Sequence, residues 1–282
     1  MLAQRLPSIL PPLTFDEAIE TSRIYSSAGL LDNEHPIVLR RPFRAPHHTI
    51  SDVGLVGGGK TPGPGEISLA HNGVLFLDEF PEFSRPAREA LRQPVETAEI
   101  NIARAAYSVR MPARFMLVAA MNPCPCGYYG DARRRCTCTS TQIQRYISHL
   151  SGPLLDRIDM HIEVPSVEYE ELRAQAKGLS STEMRGEALK AREVQEKRFC
   201  VSRTVFNARM GEQEMRTHCR LAGEAESLLK SAMHELGFSA RAYSRILKLA
   251  RTIADLAAHA DIGPEDVAEA IQYRSLDRLG LA

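Results

Sequence analysis

Two apolar runs of strand length, each closed by polar side chains suited to binding a ligand, constrain this chain more than any other feature. "GVLFLDEF" (73–80) runs into Asp78 and Glu79, and "FMLVAAMN" (115–122) ends in Asn122. Short apolar runs bounded in this way read as buried strands. Helical patterns alternate with them. Thr14 caps "FDEAIETSRIYSSAGL", which carries acids in its first turn, and Ser84 caps "SRPAREALRQPVE" (84–96), with Pro86 early. A helix is expected near 141–150, followed by a strand over "RIDMHIEVP" (157–165). "EINIARAAYSVRMPARF" (99–115) alternates Ile100 and Ile102, then Tyr107, Val109 and Met111, as a β-hairpin does. Strands alternating with helices specify an α/β fold with a mainly parallel sheet.

At the start, "PSILPP" is expected to break a helix that places Leu2, Ala3 and Leu6 on one face. Residues 36–72 form a long Gly/Pro/His-rich stretch without clear periodicity, the kind of loop that is usually a functional insertion. After Pro165 the character changes. Only helical patterns follow, over 168–176, 183–198, 211–235, 239–259 and 264–277, the last opened by Gly263, Pro264, Glu265 and Asp266. Two domains are expected, an α/β core over 1–166 and an all-helical domain over 167–282.

Composition narrows the partners. Lysine plus arginine and aspartate plus glutamate both number 35, so any contact with nucleic acid must come from local patches. No apolar run approaches the ~20 residues that span a bilayer, and "MLAQRLPSILPP" lacks the features of a signal peptide. Six cysteines, four of them between 124 and 138, fit a reducing compartment better than a disulfide framework. A cytoplasmic protein is expected.

The two strand ends carry the strongest chemistry. Open α/β sheets bind ligands at the C-terminal ends of their strands. In a nucleoside-triphosphate hydrolase the first acid of such a pair holds the Mg²⁺ shell and the second orients the attacking water, which would be Asp78 and Glu79. The Asn122 amide would lie at the same sheet edge, where it can contact a γ-phosphate or help place the water. Arg157 stands between Asp156 and Asp159, either as a salt-bridged surface arginine or as a finger reaching a neighbouring subunit's nucleotide. On "GFSARAYSRILKLARTIADL" (237–256), Arg241, Arg245, Lys248 and Arg251 lie on or near one helical face, and spacing does not choose between Arg241 and Arg245 as a phosphate sensor.

Cys124, Cys126, Cys136 and Cys138 form C-x-C, nine residues, C-x-C. Four thiolates this close could close a tetrahedral Zn²⁺ site, or they are a cluster of reduced thiols. His47-His48 reads as polar loop. Arg40, Arg41 and Arg44, Arg104 and Arg110, and Arg133, Arg134 and Arg135 are candidate contacts to nucleic-acid phosphates, or solvated surface. "GLVGGGKT" (54–61) matches the phosphate-loop pattern letter for letter. A working loop follows a buried strand and opens a helix. Here a polar, turn-rich segment precedes it, and Pro62, Gly63, Pro64 and Gly65 follow, so the match reads as a decoy.

Taken in order, "RPFRAPHHTISDVGLVGGG", "PGEISLAHNGVLFLDEFPEF", "RFMLVAAMNPCPCGYYGD", "QIQRYISHLSGPLLDRID" and "ARTIADL" resemble the magnesium-chelatase-like AAA+ ATPases of the competence protein M type, over essentially the whole chain. The resemblance implies an AAA+ core with a helical lid. Asp78 and Glu79 would be the Walker B pair, Asn122 sensor 1, Arg157 the finger and Arg241 sensor 2. It also implies that the true phosphate loop would directly precede a segment like "MLAQRLPSILPPL", and that the Gly54–Thr61 stretch lies in an insertion. The implied cofactors are ATP and Mg²⁺. The implied assembly is a ring, a hexamer, acting on DNA by branch migration or helicase-like remodelling in transformation and recombination. The alternative is a subunit that remodels a partner for Mg²⁺ insertion into a porphyrin. Without its phosphate loop the isolated chain would be inactive.

Overall fold

The computed structural model describes residues 2–58, 63–104, 107–131, 133–150, 152–165, 178–200 and 206–274. The chain forms two compact units, Met1–Leu154 and Leu155–Ala282. The expected domain boundary at 166/167 and the expected helix over 168–176 lie outside the described residues.

The first unit is built on a three-stranded parallel sheet. Its strands are β1 (Phe43–Arg44), β4 (Val74–Leu77) and β7 (Met116–Ala119), with β4 in the centre. The short strands β2 (Gly57–Gly58) and β3 (Gly63–Pro64) form a small antiparallel ladder elsewhere. Val74, Leu75 and Leu77 are fully buried, as a central strand flanked on both edges requires. Leu77 is in register with Ala119, so β4 and β7 end together. Gly73 admits no side chain, because a Cβ there would lie 2.1 Å from the Pro42 carbonyl oxygen. That close approach lets Val74 donate its N–H to Pro42 at 2.8 Å and start the β1–β4 pairing. The hairpin appears as β5 (Glu99–Arg104) and β6 (Tyr107–Pro112), antiparallel, with Ile100 opposite Met111 and Ile102 opposite Val109.

Caps fix the helices. Thr14 and Glu17 form a reciprocal capping box at the start of Phe15–Ser27, Ser84 caps Arg85–Ala90, and Thr139 with Gln142 boxes Ser140–Ile147. Residues 36–72 are not a featureless loop. They contain β1, the short helices Asp52–Val56 and Glu66–Leu69, and the β2–β3 ladder. Pro7 does not break the first helix, because it sits in the opening turn of Leu6–Ile9, where its missing N–H costs nothing. The 84–96 pattern is two helices, Arg85–Ala90 and Arg92–Thr97.

The second unit is helical among its described residues: Ser181–Arg198, Glu212–His218, Gly223–Glu235, Ala240–Leu256 and Pro264–Gln272. Leu229, Ile246, Ala250, Val267 and Ile271 form its core. The single helix expected over 211–235 is interrupted between His218 and Gly223, where buried Cys219 and half-buried Leu221 enter the core and Gly223 takes a left-handed φ of 56°. The strand expected over 157–165 is absent. Two of its backbone groups are taken instead by the residues that follow the Pro264–Gln272 helix. His161 N–H donates to the Tyr273 carbonyl at 2.6 Å, and the Arg274 guanidinium donates to the Ile158 carbonyl. Ile162 and Val164 are left 66% and 65% exposed.

Candidate functional site

The buried strand β4 delivers Asp78 and Glu79 to an exposed position at its C-terminal end. The strand end is held against its neighbour: Ala120 N–H donates to the Leu77 carbonyl and Phe80 N–H to the Ala120 carbonyl, both at 2.9 Å. Glu79 lies in the left-handed region, φ 50° and ψ 45°. That conformation costs an L-residue roughly 1 to 2 kcal/mol and reverses the chain sharply after Asp78. Asp78 Oδ1 accepts the Glu79 N–H at 3.0 Å. Asn122, also exposed, follows β7, the strand in parallel register with β4. Behind Asn122 stands Tyr146, whose phenol is pushed up by burial despite a hydrogen bond with the Asn122 backbone.

A side chain that the sequence gave no reason to connect with this edge also reaches it. His48 Nδ1 lies 3.1 Å from Glu79 Oε2. The segment after β1 reads as polar loop in sequence. Only the parallel pairing of β1 with β4 brings the two residues to one place.

The remaining expected nucleotide ligands belong to the second unit. Ser239 caps Ala240–Leu256. Arg241 lies 3.7 Å from Asp156 and is 60% exposed, whereas Arg245 pairs with Asp159 and is 23% exposed. Both acids flanking Arg157 therefore face this helix start. Arg251 does not share the basic face. It is buried, donating to Asp255 and to the carbonyls of His259 and Ala260. Lys248 is half-buried, and its pKa is lowered by burial.

The four clustered cysteines are brought together. Their Sγ atoms lie within 4.8 Å of one another, with pairs at 3.4, 3.5 and 3.7 Å. Four thiolates about 2.3 Å from a tetrahedral Zn²⁺ would stand ~3.8 Å apart, so the cradle fits. The backbone N–H groups of Tyr128 and Thr137 hold the Cys126 thiol down to about 5. For Cys136, burial and the neighbouring thiols outweigh the Cys138 backbone N–H and push it up to about 12. Cys200 and Cys219 stand apart from it, exposed and buried respectively.

The basic candidates divide by what they already hold. Arg41 donates to Pro11, Pro12, Asn72 and Glu17, and Arg44 grips Glu66 through two bonds of 2.6 Å. Arg110 pairs with Glu99, and the Arg104 side chain lies outside the described residues. Arg40, Arg133, Arg134 and Arg135 are exposed. Asp131 accepts the N–H groups of Arg133 and Arg134, and the Arg134 guanidinium lies 5.2 Å over the Tyr128 ring. The phosphate-loop match lies only partly within the described residues. Gly54 sits inside the Ser51-capped helix Asp52–Val56, and Gly57 and Gly58 form β2; Gly59, Lys60 and Thr61 lie outside the described residues. Among the described residues no buried strand leads into it.

Comparison with known proteins adds an independent line. The profile of the family described as "Magnesium chelatase, subunit ChlI" matches residues 1–172, and that of its C-terminal part matches 178–274. The competence protein ComM of Haemophilus influenzae is 48% identical over 280 residues, which is 99% of this chain and 54% of that protein. The chain thus spans about half the length of the curated relatives it matches over nearly its whole extent. The magnesium-chelatase subunit ChlI of Porphyra purpurea is 31% identical over 43% of this chain and 28% of its own length. The DNA replication licensing factor Mcm6 of Drosophila melanogaster is 32% identical over 34% of this chain and 10% of its own length.

Proposed function

The chain belongs to the magnesium chelatase ChlI family, and from that membership we propose that it is part of an AAA+ ATPase that couples ATP hydrolysis to remodelling of DNA. The observation that carries the hydrolytic half is the end of β4, where Asp78 and Glu79 emerge exposed next to the end of the parallel strand β7. One Asp78 oxygen accepts the Glu79 N–H, and the second is open to the hydration shell of a Mg²⁺ ion. The bound ion would supply charge neutralisation of the β- and γ-phosphates. Glu79 orients and deprotonates the attacking water, and the Asn122 amide donates to a γ-phosphate oxygen or to that water. Arg241, the more exposed of the two arginines at its helix start, senses the γ-phosphate, with Arg245 anchored on Asp159. Arg157 serves a neighbouring subunit's nucleotide in a ring, a hexamer. Residues 1–166 act as the core and 167–282 as the lid. The relatives matched over nearly the whole chain are about twice its length, so the activity proposed is that of the full-length protein.

DNA as the partner is supported by the similarity to a competence protein and to a replication licensing factor, and by the exposed arginines 133–135 on the cysteine loop. Basic loops neutralise backbone phosphates without reading bases. A Zn²⁺ ion on Cys124, Cys126, Cys136 and Cys138 would hold that loop in shape. Among the described residues no helix is long and apolar enough to cross a membrane, and reduced thiols fit a cytoplasmic site of action. The porphyrin reading is supported by the ChlI family profiles and by the more distant ChlI relative.

DNA stimulation of the ATPase tests this function. The full-length protein should hydrolyse ATP faster with DNA than without. Its DNA affinity should fall steeply between 50 and 200 mM salt, as counterion release dictates. ATP turnover indifferent to DNA at every salt concentration would remove DNA from the account.

A further inference from the structure

The cysteine cluster closes the base of a loop whose rim the hydrolytic scheme does not use. Cys126 and Cys136 stand 3.5 Å apart, so residues 127–135 leave and return at one point. Backbone groups hold both flanks of this loop. On the first flank, the Gly127 N–H donates to the Cys124 carbonyl at 3.0 Å and the Asp131 N–H to the Tyr128 carbonyl at 3.2 Å. The second of these bonds closes a four-residue turn with Tyr129 and Gly130 at its tip. Gly130 takes a φ of 83°, which that turn position favours in glycine. On the other flank, Asp131 Oδ1 accepts the Arg133 and Arg134 N–H groups at 2.7 and 2.8 Å.

Two kinds of side chain stand on this frame. Tyr129 is 56% exposed at the tip of the turn, and Arg133, Arg134 and Arg135 are exposed on the returning arm. Tyr128 joins the two. Arg134 Nη1 donates to the Tyr128 hydroxyl at 2.7 Å, and the guanidinium carbon lies 5.2 Å from the ring centroid. The tip and the arginine run are therefore held as neighbours. Three arginines stand there against one acid, Asp131, whose Oδ1 is turned to its own backbone.

We infer that this rim binds an unpaired stretch of a DNA strand, with Tyr129 stacking on a base and Arg134 and Arg135 holding phosphates beside it. An aromatic face stacks on any base, so the contact tolerates sequence. Guanidinium forks match phosphate oxygens. In a duplex the base faces are covered by neighbouring pairs, and the same ring has nothing to stack on away from an end or junction. The turn is pinned before the strand arrives, which lowers the ordering cost of binding. The inference rests on the DNA reading above and deepens it, by assigning an unpaired strand to this loop.

The test is fluorescence anisotropy of the full-length protein, with a non-hydrolysable ATP analogue present, on three probes. These are a thymidine single strand, an abasic strand with the same number of phosphates, and a blunt duplex. Tyr129→Ala should weaken binding to the thymidine strand about fivefold or more, the loss of one stacked base. It should leave the abasic strand and the duplex within about twofold of wild type, since neither offers a base face. Tyr129→Phe should bind the thymidine strand like wild type, and Tyr129→Leu, apolar but without a π-face, should behave like Ala. Arg135→Ala should weaken the abasic strand as well and lower its salt slope by about 0.7. A Tyr129→Ala variant that binds the thymidine strand like wild type would overturn the inference, as would an equal loss on the abasic strand. Lost self-association with unchanged DNA binding would overturn it too, and would make the turn a protein contact. Wild-type protein that binds none of the three probes would instead overturn the DNA reading itself, a result separate from any outcome at Tyr129.

Discussion

The carboxylate of Asp255 is fully buried and accepts hydrogen bonds from Arg198 at 2.5 and 2.6 Å, Asn207 at 2.7 Å and Arg251 at 3.1 Å. Satisfied in this way it ties three segments of the helical unit together. Breaking the network leaves a buried charge short of partners, which costs about 3 to 5 kcal/mol. Arg198→Ala should lower unfolding free energy by that order in urea titrations, and a loss under 1 kcal/mol would show that the network carries little. A second buried group makes stability depend on pH. His161 is 6% exposed, and burial together with the nearby Arg274 charge lowers its pKa from 6.5 to about 4. Below 6.5 the unfolded chain takes up a proton that the folded state refuses, so stability is full above that pH and falls as pH drops toward 4. His161→Gln should flatten this acid limb of the melting temperature, and an unchanged slope would assign it to other groups. Neither residue announced itself in sequence. Arg251 looked like part of a basic face, because helical spacing places a residue on a face without saying what packs against it.

At the scale of elements, the parts with local causes were legible and those with distant causes were not. Thr14 with Glu17, Ser84, and Gly263 with Asp266 all cap the helices they were expected to start, since a cap needs only its own next turn. The two apolar runs are strands because a continuous apolar stretch between polar ends has few other fates. The 157–165 segment alternates as a strand does, yet its carbonyl and N–H groups are taken by a helix end, a partner over a hundred residues away. His48 and Glu79 meet only through the β1–β4 register. The cysteine loop was legible from composition, and its geometry makes a prediction. The protein should carry about one Zn²⁺ per chain, measured by elemental analysis, and Cys124→Ser should lower that content. Metal-free protein from a zinc-replete preparation would leave the cluster as thiols. Lys60 gives the converse prediction. Gly54 lies in a helix rather than after a strand, so Lys60→Ala in the full-length protein should leave Mg²⁺-dependent ATP binding within about twofold of wild type. Loss of binding would make "GLVGGGKT" a true phosphate loop.

The whole molecule combines an α/β unit bearing the acids with a helical unit bearing the arginines. The pattern changes after Pro165, the two family profiles meet between residues 172 and 178, and the two compact units divide at Leu154/Leu155. No geometry across the units was readable from sequence, because periodicity reports only local structure. The account's central claim is that the β4 edge hydrolyses ATP. Its most direct test is Mg²⁺-dependent ATP turnover by the full-length protein and its Glu79→Gln variant, with ATP binding measured on both. Glu79→Gln keeps the shape of the side chain and removes the base. The account predicts that the variant binds ATP like wild type while turnover falls by about 10²-fold or more. Binding and turnover both at wild-type levels would contradict it.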